Sequence, residues 1–187
     1  MEVCGLDEAG KGPLAGPLVA AAVILRHDIN GLNDSKKLSK KMRELLYSEI
    51  MRSGAIVDVE LISARSINTK GMAWAGKEIF RRLIRRIDAG SYIVDGAIHP
   101  GRVKSKTSKI EAVVRADGST KCVMAASIVA KVTRDVIMQE LDKEFPHYNW
   151  RINKGYGTKE HITLIKKHGE SRYHRSVFVT TAIKNST

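Results

Sequence analysis

Four acidic residues stand at the ends of apolar, strand-like segments. Asp7 and Glu8 close the first of these segments. Asp95 closes a second segment, and Asp117 follows a third. Functional groups collect at the carboxyl ends of strands in open α/β sheets, so we expect these carboxylates to converge although they are far apart in sequence. Magnesium and manganese ions prefer oxygen ligands, and the pattern therefore predicts a site for a divalent cation.

The chemistry expected of such a site is hydrolysis of a phosphodiester. Two ions held about 3.5–4 Å apart can activate a water molecule and stabilise the leaving oxygen. Without the ions, clustered carboxylates repel one another, so we expect the metal-free site to be partly protonated or loosely ordered. Each acid also has a simpler explanation, because Asp-Gly pairs such as Asp117-Gly118 are common in turns. The metal-site prediction therefore depends on all four acids together.

The composition of the remaining chain favours a polyanionic partner. The chain has 187 residues and a net charge of +12, which is typical of proteins that bind nucleic acid. The longest apolar run, residues 18–25, is too short to span a bilayer, so we expect no membrane contact. The two cysteines, Cys4 and Cys122, lack metal-ligand spacing. We expect them to be reduced thiols, as in a cytoplasmic protein.

The hydrophobic pattern predicts the elements that position the acids. Strands are predicted over residues 3–7, 18–25, 57–61, 92–95 and 110–115. Helices are predicted from the N-cap Ser39 to residue 50, over residues 67–87 and 119–145, and from the N-cap Thr158 to about residue 168. The tail after Arg175 is only weakly patterned. This order predicts an α/β fold in which helices flank a mixed five-stranded sheet. We expect one domain over residues 1–187, with a short helical part at about 158–187.

The glycine-rich segment after the first strand resembles a phosphate-binding P-loop only superficially. Gly5, Gly10 and Lys11 have the P-loop spacing. However, Gly12 stands where a P-loop has the serine or threonine that binds magnesium. Pro13 favours a turn rather than the helix N-terminus that would hold phosphate, and the two acids inside the loop would repel phosphate. The chain also lacks the spacing of a serine nucleophile or of a histidine zinc site.

Basic and aromatic residues elsewhere in the chain can position a nucleic-acid backbone. The basic clusters are residues 34–41, the loop residues Arg102, Lys104, Lys106 and Lys109, and the pair Lys131 and Arg134. Phosphate contacts of this kind position a duplex without reading its sequence. Tyr156 lies in a glycine loop beside basic residues and can stack on a sugar or base. Each basic cluster taken alone is more often a solvated surface than a phosphate contact, and Tyr156 has the alternative explanation of a surface tyrosine packed on its own loop.

Six stretches, taken together and in order, resemble those of the ribonuclease HII family, the type 2 ribonucleases H. They are residues 5–17, 34–39, 94–96, 125–135, 154–158 and 174–178. The resemblance implies a ribonuclease H fold and cleavage of RNA within RNA–DNA hybrids. It also implies incision of duplex DNA on the 5′ side of a single embedded ribonucleotide, leaving 3′-hydroxyl and 5′-phosphate ends. The ribose 2′-hydroxyl is the chemical group that distinguishes these substrates from DNA.

The resemblance also assigns roles to individual residues. It makes Asp7, Glu8, Asp95 and Asp117 the ligands of two Mg²⁺ or Mn²⁺ ions. It makes Gly10, Lys11 and Gly12 the loop that senses the 2′-hydroxyl, largely through backbone groups. It gives Tyr156 the reading of the RNA–DNA junction. The residues that approach the phosphate backbone are then Ser35, Lys36 and Ser127.

The chain departs from the family pattern at a few positions. Lys11 stands where the family usually has arginine, so the planar guanidinium fork is lost if that side chain matters. Gly157 stands where the family often has proline, which predicts a looser loop. Asp135 competes with Asp117 for the role of fourth acid, and we prefer Asp117 because Asp135 lies deep in a predicted helix. The tail lacks an aromatic pair that could dock on a sliding clamp, so we expect no clamp-binding peptide. Separately, we expect the protein to be a monomer.

Two other functions are compatible with the sequence. The first is a metal-dependent nuclease of the same fold that acts on branched or single-stranded DNA. The second is a nucleic-acid-binding protein without catalytic activity. Cleavage of all-DNA junctions distinguishes the first function from the ribonuclease, and the absence of products with any metal distinguishes the second. Uncompensated carboxylates would weaken phosphate binding, which argues against a protein that only binds.

Overall fold

A mixed five-stranded sheet lies at the centre of the computed structural model, which describes residues 2–96, 100–101, 103 and 109–185. The strands are β1 (Val3–Ala9), β2 (Leu18–Ile24), β3 (Ile56–Ile62), β4 (Ser91–Asp95) and β5 (Lys109–Val113). Their order in the sheet is β3-β2-β1-β4-β5. The pairs β1–β2 and β2–β3 are antiparallel, and the pairs β1–β4 and β4–β5 are parallel. The predicted mixed sheet of five strands is confirmed.

Helices cover both faces of this sheet. They are α1 (Lys40–Arg52), α2 (Ala64–Lys70), α3 (Met72–Arg86), α4 (Lys121–Glu144), α5 (Trp150–Asn153), α6 (Lys159–His168) and α7 (Ser176–Lys184). Alternate residues of a strand face opposite sides. Ala20 and Ala22 of β2 accordingly pack in the cluster that contains α3, while Ala21 and Val23 pack in the cluster that contains α1 and α4. Every residue of β2 is buried, as expected for a strand covered on both faces.

Both predicted N-caps are confirmed. The Ser39 hydroxyl accepts a hydrogen bond from the Met42 N–H at 3.2 Å and begins α1. The Thr158 hydroxyl accepts one from the His161 N–H at 3.1 Å and begins α6. Each cap satisfies a backbone donor that the helix itself leaves unpaired.

Several predicted boundaries are wrong, and the strand predicted over residues 3–7 continues to Ala9. The helix predicted over 67–87 is divided at Gly71, whose φ of 80° is left-handed, and α2 begins earlier because Ser63 caps it. The strand predicted to Arg115 ends at Val113, since Arg115 has a φ of 61° and begins a 3₁₀ turn. The weakly patterned tail, for which the pattern predicted no separate helix, forms α7.

Two further expectations concern the surface of the chain. Among the predicted basic loop residues, Arg102, Lys104 and Lys106 lie outside the described residues, and Lys109 begins β5 with an ion pair to Glu111. Within the ranges that the structure describes, no helix combines the length and the apolar character that a membrane crossing requires.

The sheet and α4 approach each other closely at Gly5 of β1. A Cβ atom built there would lie 2.3 Å from the backbone carbon of Cys122 and 2.4 Å from the nitrogen of Val123. Both of these atoms belong to the backbone of the first turn of α4, which cannot move aside as a flexible side chain would. Glycine at this position therefore sets the distance between β1 and the helix.

We expect Gly5→Ala to lower the free energy of unfolding by about 1–3 kcal/mol or more, because the added methyl overpacks a rigid contact. The measurement is thermal or urea unfolding of the wild type and the variant. Gly118→Ala is the matched control, since a Cβ there meets nothing within 4 Å. Equal stability of Gly5→Ala and the wild type would contradict this account of the packing.

A candidate metal centre beside a basic cleft

Three of the four predicted acids converge where the pairing of β1 with β4 ends. The last paired residues of these strands are Leu6 and Val94. The next residues, Asp7 and Asp95, therefore emerge side by side. The 3₁₀ turn after β5 brings in Asp117, whose N–H donates to Asp95 Oδ1 at 3.4 Å. One carboxylate oxygen from each of the three aspartates lies within 4.8 Å of the others, and Asp7 and Asp117 are buried.

Glu8 lies beside this triad without joining it. It belongs to β1, and its N–H donates to Asp7 Oδ1 at 2.7 Å. Its carboxylate forms an ion pair with the Lys11 ammonium. The other carboxylate oxygen, Oε2, is buried and has no hydrogen-bond partner among the residues that the structure describes. Lys11 therefore neutralises Glu8, the predicted metal ligand that lies outside the triad.

Burial and the charges of neighbouring acids oppose ionisation of Asp7 and Glu8. Burial, followed by the charges of Glu8 and Asp95, raises the pKa of Asp7 from 3.8 to about 8. Hydrogen bonds from the Glu8 N–H and the Ser127 hydroxyl oppose this rise in part. Burial likewise raises the pKa of Glu8, although Lys11 offsets part of the effect. The metal-free site thus retains protons near neutral pH, as the repulsion of clustered carboxylates predicts.

The donor set of the triad fits a hard divalent cation. All of its convergent side-chain atoms are carboxylate oxygens, which suit magnesium or manganese better than zinc. Lys36 approaches the triad from the surface. Its side chain is 77% exposed, and its ammonium lies 3.0 Å from Asp117 Oδ2. The orphaned Oε2 atom of Glu8 adds a fourth buried oxygen nearby that lacks a partner in the described chain. A cation would satisfy these oxygens and remove their repulsion.

The predicted substrate-binding residues line one cleft next to the acids. The cleft has a volume of about 380 Å³. Its lining includes Asp7, Glu8, Gly10, Lys11, Gly12, Ser35, Lys36, Asp95, Ser127, Lys131 and Tyr156. Two of these residues form a hydrogen bond with each other in the wall of the cleft, where the hydroxyl oxygens of Ser35 and Ser127 are 2.7 Å apart. The structure therefore gathers the predicted glycine loop, phosphate-binding residues and tyrosine at the acid cluster.

The expectation that Lys131 and Arg134 both contact phosphate is wrong for Arg134. Lys131 lines the cleft but forms an ion pair with Asp135 at 2.6 Å. Arg134 is fully buried, so it is not available to phosphate. Asp135 is paired with Lys131, and the acid that lies with Asp7 and Asp95 is Asp117, as we preferred from the sequence.

Two buried arginines, whose roles the sequence did not indicate, hold the glycine-rich loop. Arg134 donates to the carbonyls of Ala15, Pro17 and Lys154 at 3.0–3.1 Å. Arg175 donates to the carbonyls of Gly16 and Lys11 at 2.9–3.0 Å. Neither arginine is solvent-exposed. An arginine inside an apolar helical stripe, as at Arg134, is the sequence signal that could have identified the first of them.

Tyr156 lies beside Arg134, one of the two arginines that hold this loop. Its ring is centred 5.7 Å from the guanidinium carbon of Arg134, and the residue is 43% exposed. The carbonyl of the preceding Gly155 accepts hydrogen bonds from the N–H groups of Leu14 and Ala15. The tyrosine loop and the glycine-rich loop are therefore joined to each other, which does not support the looser loop expected from Gly157.

The chain is similar along most of its length to known ribonucleases. Residues 4–181 match the family model of ribonuclease HII. The ribonuclease HII of Rickettsia conorii is 44% identical over 178 residues, which cover 94% of this chain and 90% of the relative. The structure of the PCNA:RNase HII complex from Archaeoglobus fulgidus has a TM-score of 0.81 at 28% identity and covers 94% of both chains. The ribonuclease H2 of Pyrococcus horikoshii has a TM-score of 0.80 at 26% identity, covering 99% of this chain and 98% of that one. These likenesses confirm the predicted ribonuclease H-like fold.

The raised pKa of Asp7 predicts how pH acts on the metal-free protein. The pKa is higher in the folded state than in the unfolded state, so the stability that this group contributes is present at low pH and is lost as pH rises from about 4 to about 8. We expect Asp7→Asn to raise the melting temperature in chelator at pH 8, by about 2–4 °C for each kcal/mol gained. This gain should shrink as the pH is lowered, and Mn²⁺ should stabilise the wild type but not the variant.

Differential scanning calorimetry between pH 5 and 8, with chelator or with Mn²⁺, measures both effects. Asp135→Asn is the matched control because Asp135 pairs with Lys131 outside the triad. A wild type that is more stable than Asp7→Asn in chelator at pH 8 would show that burial and repulsion do not dominate at Asp7.

Proposed function

Since the chain belongs to the ribonuclease HII family and is thus a ribonuclease H, we propose that it incises duplex DNA on the 5′ side of a single embedded ribonucleotide and also cuts RNA in RNA–DNA hybrids. The observation that carries the proposal is the convergence of three aspartates beside the glycine loop and Tyr156 in one cleft. The cleft offers both a place for a cation and groups that can distinguish ribose from deoxyribose. Water attack on the phosphorus, with the bond to the 3′-oxygen broken and that oxygen leaving, would give products with 3′-hydroxyl and 5′-phosphate ends.

We assign the metal site to the four acids. Asp7 and Asp95 would anchor the ions, Glu8 would complete one coordination shell, and Asp117 would hold the second ion. When bound, two Mg²⁺ or Mn²⁺ ions supply a nucleophilic water and neutralise charge on the phosphodiester. For this role the Glu8 carboxylate would have to separate from Lys11, with which it forms an ion pair in the structure.

Residues around the acids would hold the phosphate backbone. Lys36 is exposed and reaches the triad through Asp117, so a bound phosphate would lie within reach of its ammonium. Ser35 and Ser127 present hydroxyl groups at the same wall of the cleft. The net charge of +12 attracts a polyanion over longer distances. These contacts are independent of base sequence, as expected for an enzyme that recognises ribose rather than a sequence.

The glycine loop would read the 2′-hydroxyl through its backbone. Gly10 has a φ of 100°, and a Cβ there would lie 2.2 Å from Arg134 Nε, so only glycine fits. Arg175 binds the carbonyl of Lys11. Because a trans peptide is planar, the N–H of Gly12 lies on the edge opposite that carbonyl. Gly12 itself lines the cleft, which makes this N–H the donor that we propose for the ribose.

Tyr156 would complete the recognition by stacking on the sugar that follows the ribonucleotide. Its ring is exposed in the cleft and lies over Arg134, which fixes its orientation. A flat aromatic face at that position would favour the deoxyribose side of an RNA–DNA junction, because a 2′-hydroxyl against the apolar ring would lose its hydrogen bonds to water.

The remaining parts of the proposal concern organisation and location. We propose one catalytic domain over residues 1–187, acting as a monomer in the cytoplasm. The lack of a composition break along the sequence supports the single domain, and the two buried, free cysteines support the cytoplasmic location. The relative from Archaeoglobus fulgidus was solved with PCNA. Residues 159–184 of this chain contain no adjacent aromatic pair, so the proposal includes no clamp contact through them.

Substitution of a triad acid should abolish cleavage without unfolding the protein. We expect Asp95→Asn and Asp117→Asn each to lower the cleavage rate of a DNA duplex with one ribonucleotide by at least about 100-fold, because metal ions supply several kcal/mol of transition-state stabilisation. The assay uses end-labelled duplex with Mg²⁺, with Mn²⁺ and with chelator, and it maps the nick. Asp135→Asn should retain the wild-type rate.

Three results of that assay would contradict the proposal in different ways. Near-normal turnover of Asp95→Asn at saturating magnesium would exclude the metal site. Cleavage of all-DNA junctions in preference to ribonucleotide substrates would favour the branched-DNA nuclease. Tight, salt-sensitive binding without products in any metal would favour a protein that only binds nucleic acid.

The role of the Lys11 side chain can be separated from that of its backbone. If backbone groups read the ribose, Lys11→Ala should slow cleavage of the single-ribonucleotide duplex and of a continuous RNA–DNA hybrid in the same proportion. It should also lower the Mg²⁺ concentration for half-maximal rate, because Glu8 loses the cation that competes with the metal. Lys131→Ala, which removes a lysine of the same cleft paired to Asp135, is the control. A selective loss on the single-ribonucleotide duplex would show that the side chain itself reads the junction.

A further inference from the structure

The backbone of Tyr156 is fixed from the interior of the protein although its side chain is exposed. Its carbonyl accepts hydrogen bonds from the Thr158 N–H at 2.8 Å and from His161 Nδ1 at 2.9 Å. Its own N–H donates to the carbonyl of Asn153 at 2.9 Å. His161 is completely buried. A surface tyrosine that served only to cover its own loop would not require a buried imidazole at its carbonyl.

The contacts of His161 define a single tautomer. A carbonyl can only accept, so Nδ1 of His161 carries the proton and donates to Tyr156. The other ring nitrogen, Nε2, is 3.0 Å from Trp150 Nε1, and an indole N–H can only donate. Nε2 of His161 is therefore an unprotonated acceptor. The imidazole is neutral, in agreement with the lowering of its pKa by burial.

A second buried histidine enforces the same assignment. Nδ1 of His174 is 2.8 Å from the backbone N–H of Ser171, a donor, so Nδ1 accepts and Nε2 carries the proton. That proton points to Nε2 of His161 at 3.3 Å. Burial, together with the neighbouring His161, lowers the pKa of His174 to about 4, so this ring is also neutral near pH 7. The hydrogen bonds thus run in one direction, from Ser171 through His174 and His161 to the carbonyl of Tyr156.

We infer that His161 is a positioning residue for junction recognition, because its Nδ1–H holds the Tyr156 carbonyl and so sets where the exposed ring lies in the cleft. The inference rests on the proposed role of Tyr156. The cap of α6 does not need the histidine side chain, since Thr158 already supplies that cap. Trp150 and His174 both face Nε2 of His161, which leaves Nδ1 for the Tyr156 carbonyl, and the guanidinium carbon of Arg134 lies 5.7 Å from the centre of the tyrosine ring.

Two substitutions of His161 separate positioning from stability. Asparagine places an amide donor near the position of Nδ1, so His161→Asn keeps the hydrogen bond to Tyr156 and loses the partner of Trp150 and His174. Glutamine places its amide near the position of Nε2, so His161→Gln keeps those partners and leaves the Tyr156 carbonyl without the buried donor. Trp150→Phe removes the indole donor and keeps Tyr156 untouched, which makes it a control for loss of stability.

The readout is the ratio of kcat/KM for a single-ribonucleotide duplex to kcat/KM for a continuous RNA–DNA hybrid. We expect His161→Gln to lower this ratio about 5- to 10-fold, as the loss of one hydrogen bond would. His161→Asn and Trp150→Phe should keep the wild-type ratio even where thermal unfolding shows lower stability. Equal ratios for the two histidine variants, or ratios that follow the melting temperatures, would overturn the inference.

Tyr156→Ala distinguishes failure of the inference from failure of the proposed function. If Tyr156→Ala leaves the ratio unchanged, the proposed reading by the tyrosine fails and the inference fails with it. If Tyr156→Ala lowers the ratio and His161→Gln does not, only the inference is overturned.

A measurement on the wild type does not depend on the folding of any variant. Nitrogen NMR of ¹⁵N-histidine-labelled protein at pH 7 should show His161 protonated at Nδ1 and His174 protonated at Nε2. The opposite tautomer at His161 would remove the donor to Tyr156 and overturn the inference.

Discussion

The parallel pairing of β1 with β4 is the constraint on which the rest of the site depends. It ends at Leu6 and Val94, and it therefore forces the next two side chains, both aspartates, into one small buried volume. Burial, together with the charges of Glu8 and Asp95, raises the pKa of Asp7 to about 8. A fold that places like charges together in this way is stable near neutral pH only with bound protons or a bound cation. The chemistry of the site thus originates in the register of the sheet.

Two buried arginines, Arg134 and Arg175, contact the loop that we propose reads the ribose. Arg134 and Arg175 hold this loop through backbone carbonyls, with no carboxylate bonded to either in the described part of the chain. Burial of an arginine costs free energy unless its donors are satisfied, and the carbonyl contacts satisfy them. Burial, with the charge of Arg134, lowers the pKa of Arg175 to about 9. These contacts hold the backbone of the loop that we propose distinguishes a hydroxyl from a hydrogen atom.

Sequence alone could predict the sheet and its acids because both follow from local patterns. Apolar runs that end in acids identify strand ends, and the gathering of such ends at one edge follows from the α/β order of the elements. The break at Gly71 was missed because one glycine costs a helix only about 1 kcal/mol, which pattern alone does not resolve. The pairing of Lys11 with Glu8 and the buried roles of Arg134 and Arg175 depend on tertiary contacts. Carbonyl acceptors carry no sequence signal, so such roles appear only in the folded chain.

Calorimetric titration of the metal-free protein with Mn²⁺ tests the central claim most directly. The claim is that the buried negative charge of the triad is what a divalent cation neutralises. Titration at pH 7 in two buffers with different ionisation enthalpies measures both binding and proton release. We predict that Mn²⁺ binds and displaces a proton, and that Asp7→Asn loses most of the binding and the proton release together. Equal Mn²⁺ binding by Asp7→Asn, or no binding by the folded wild type, would contradict the account.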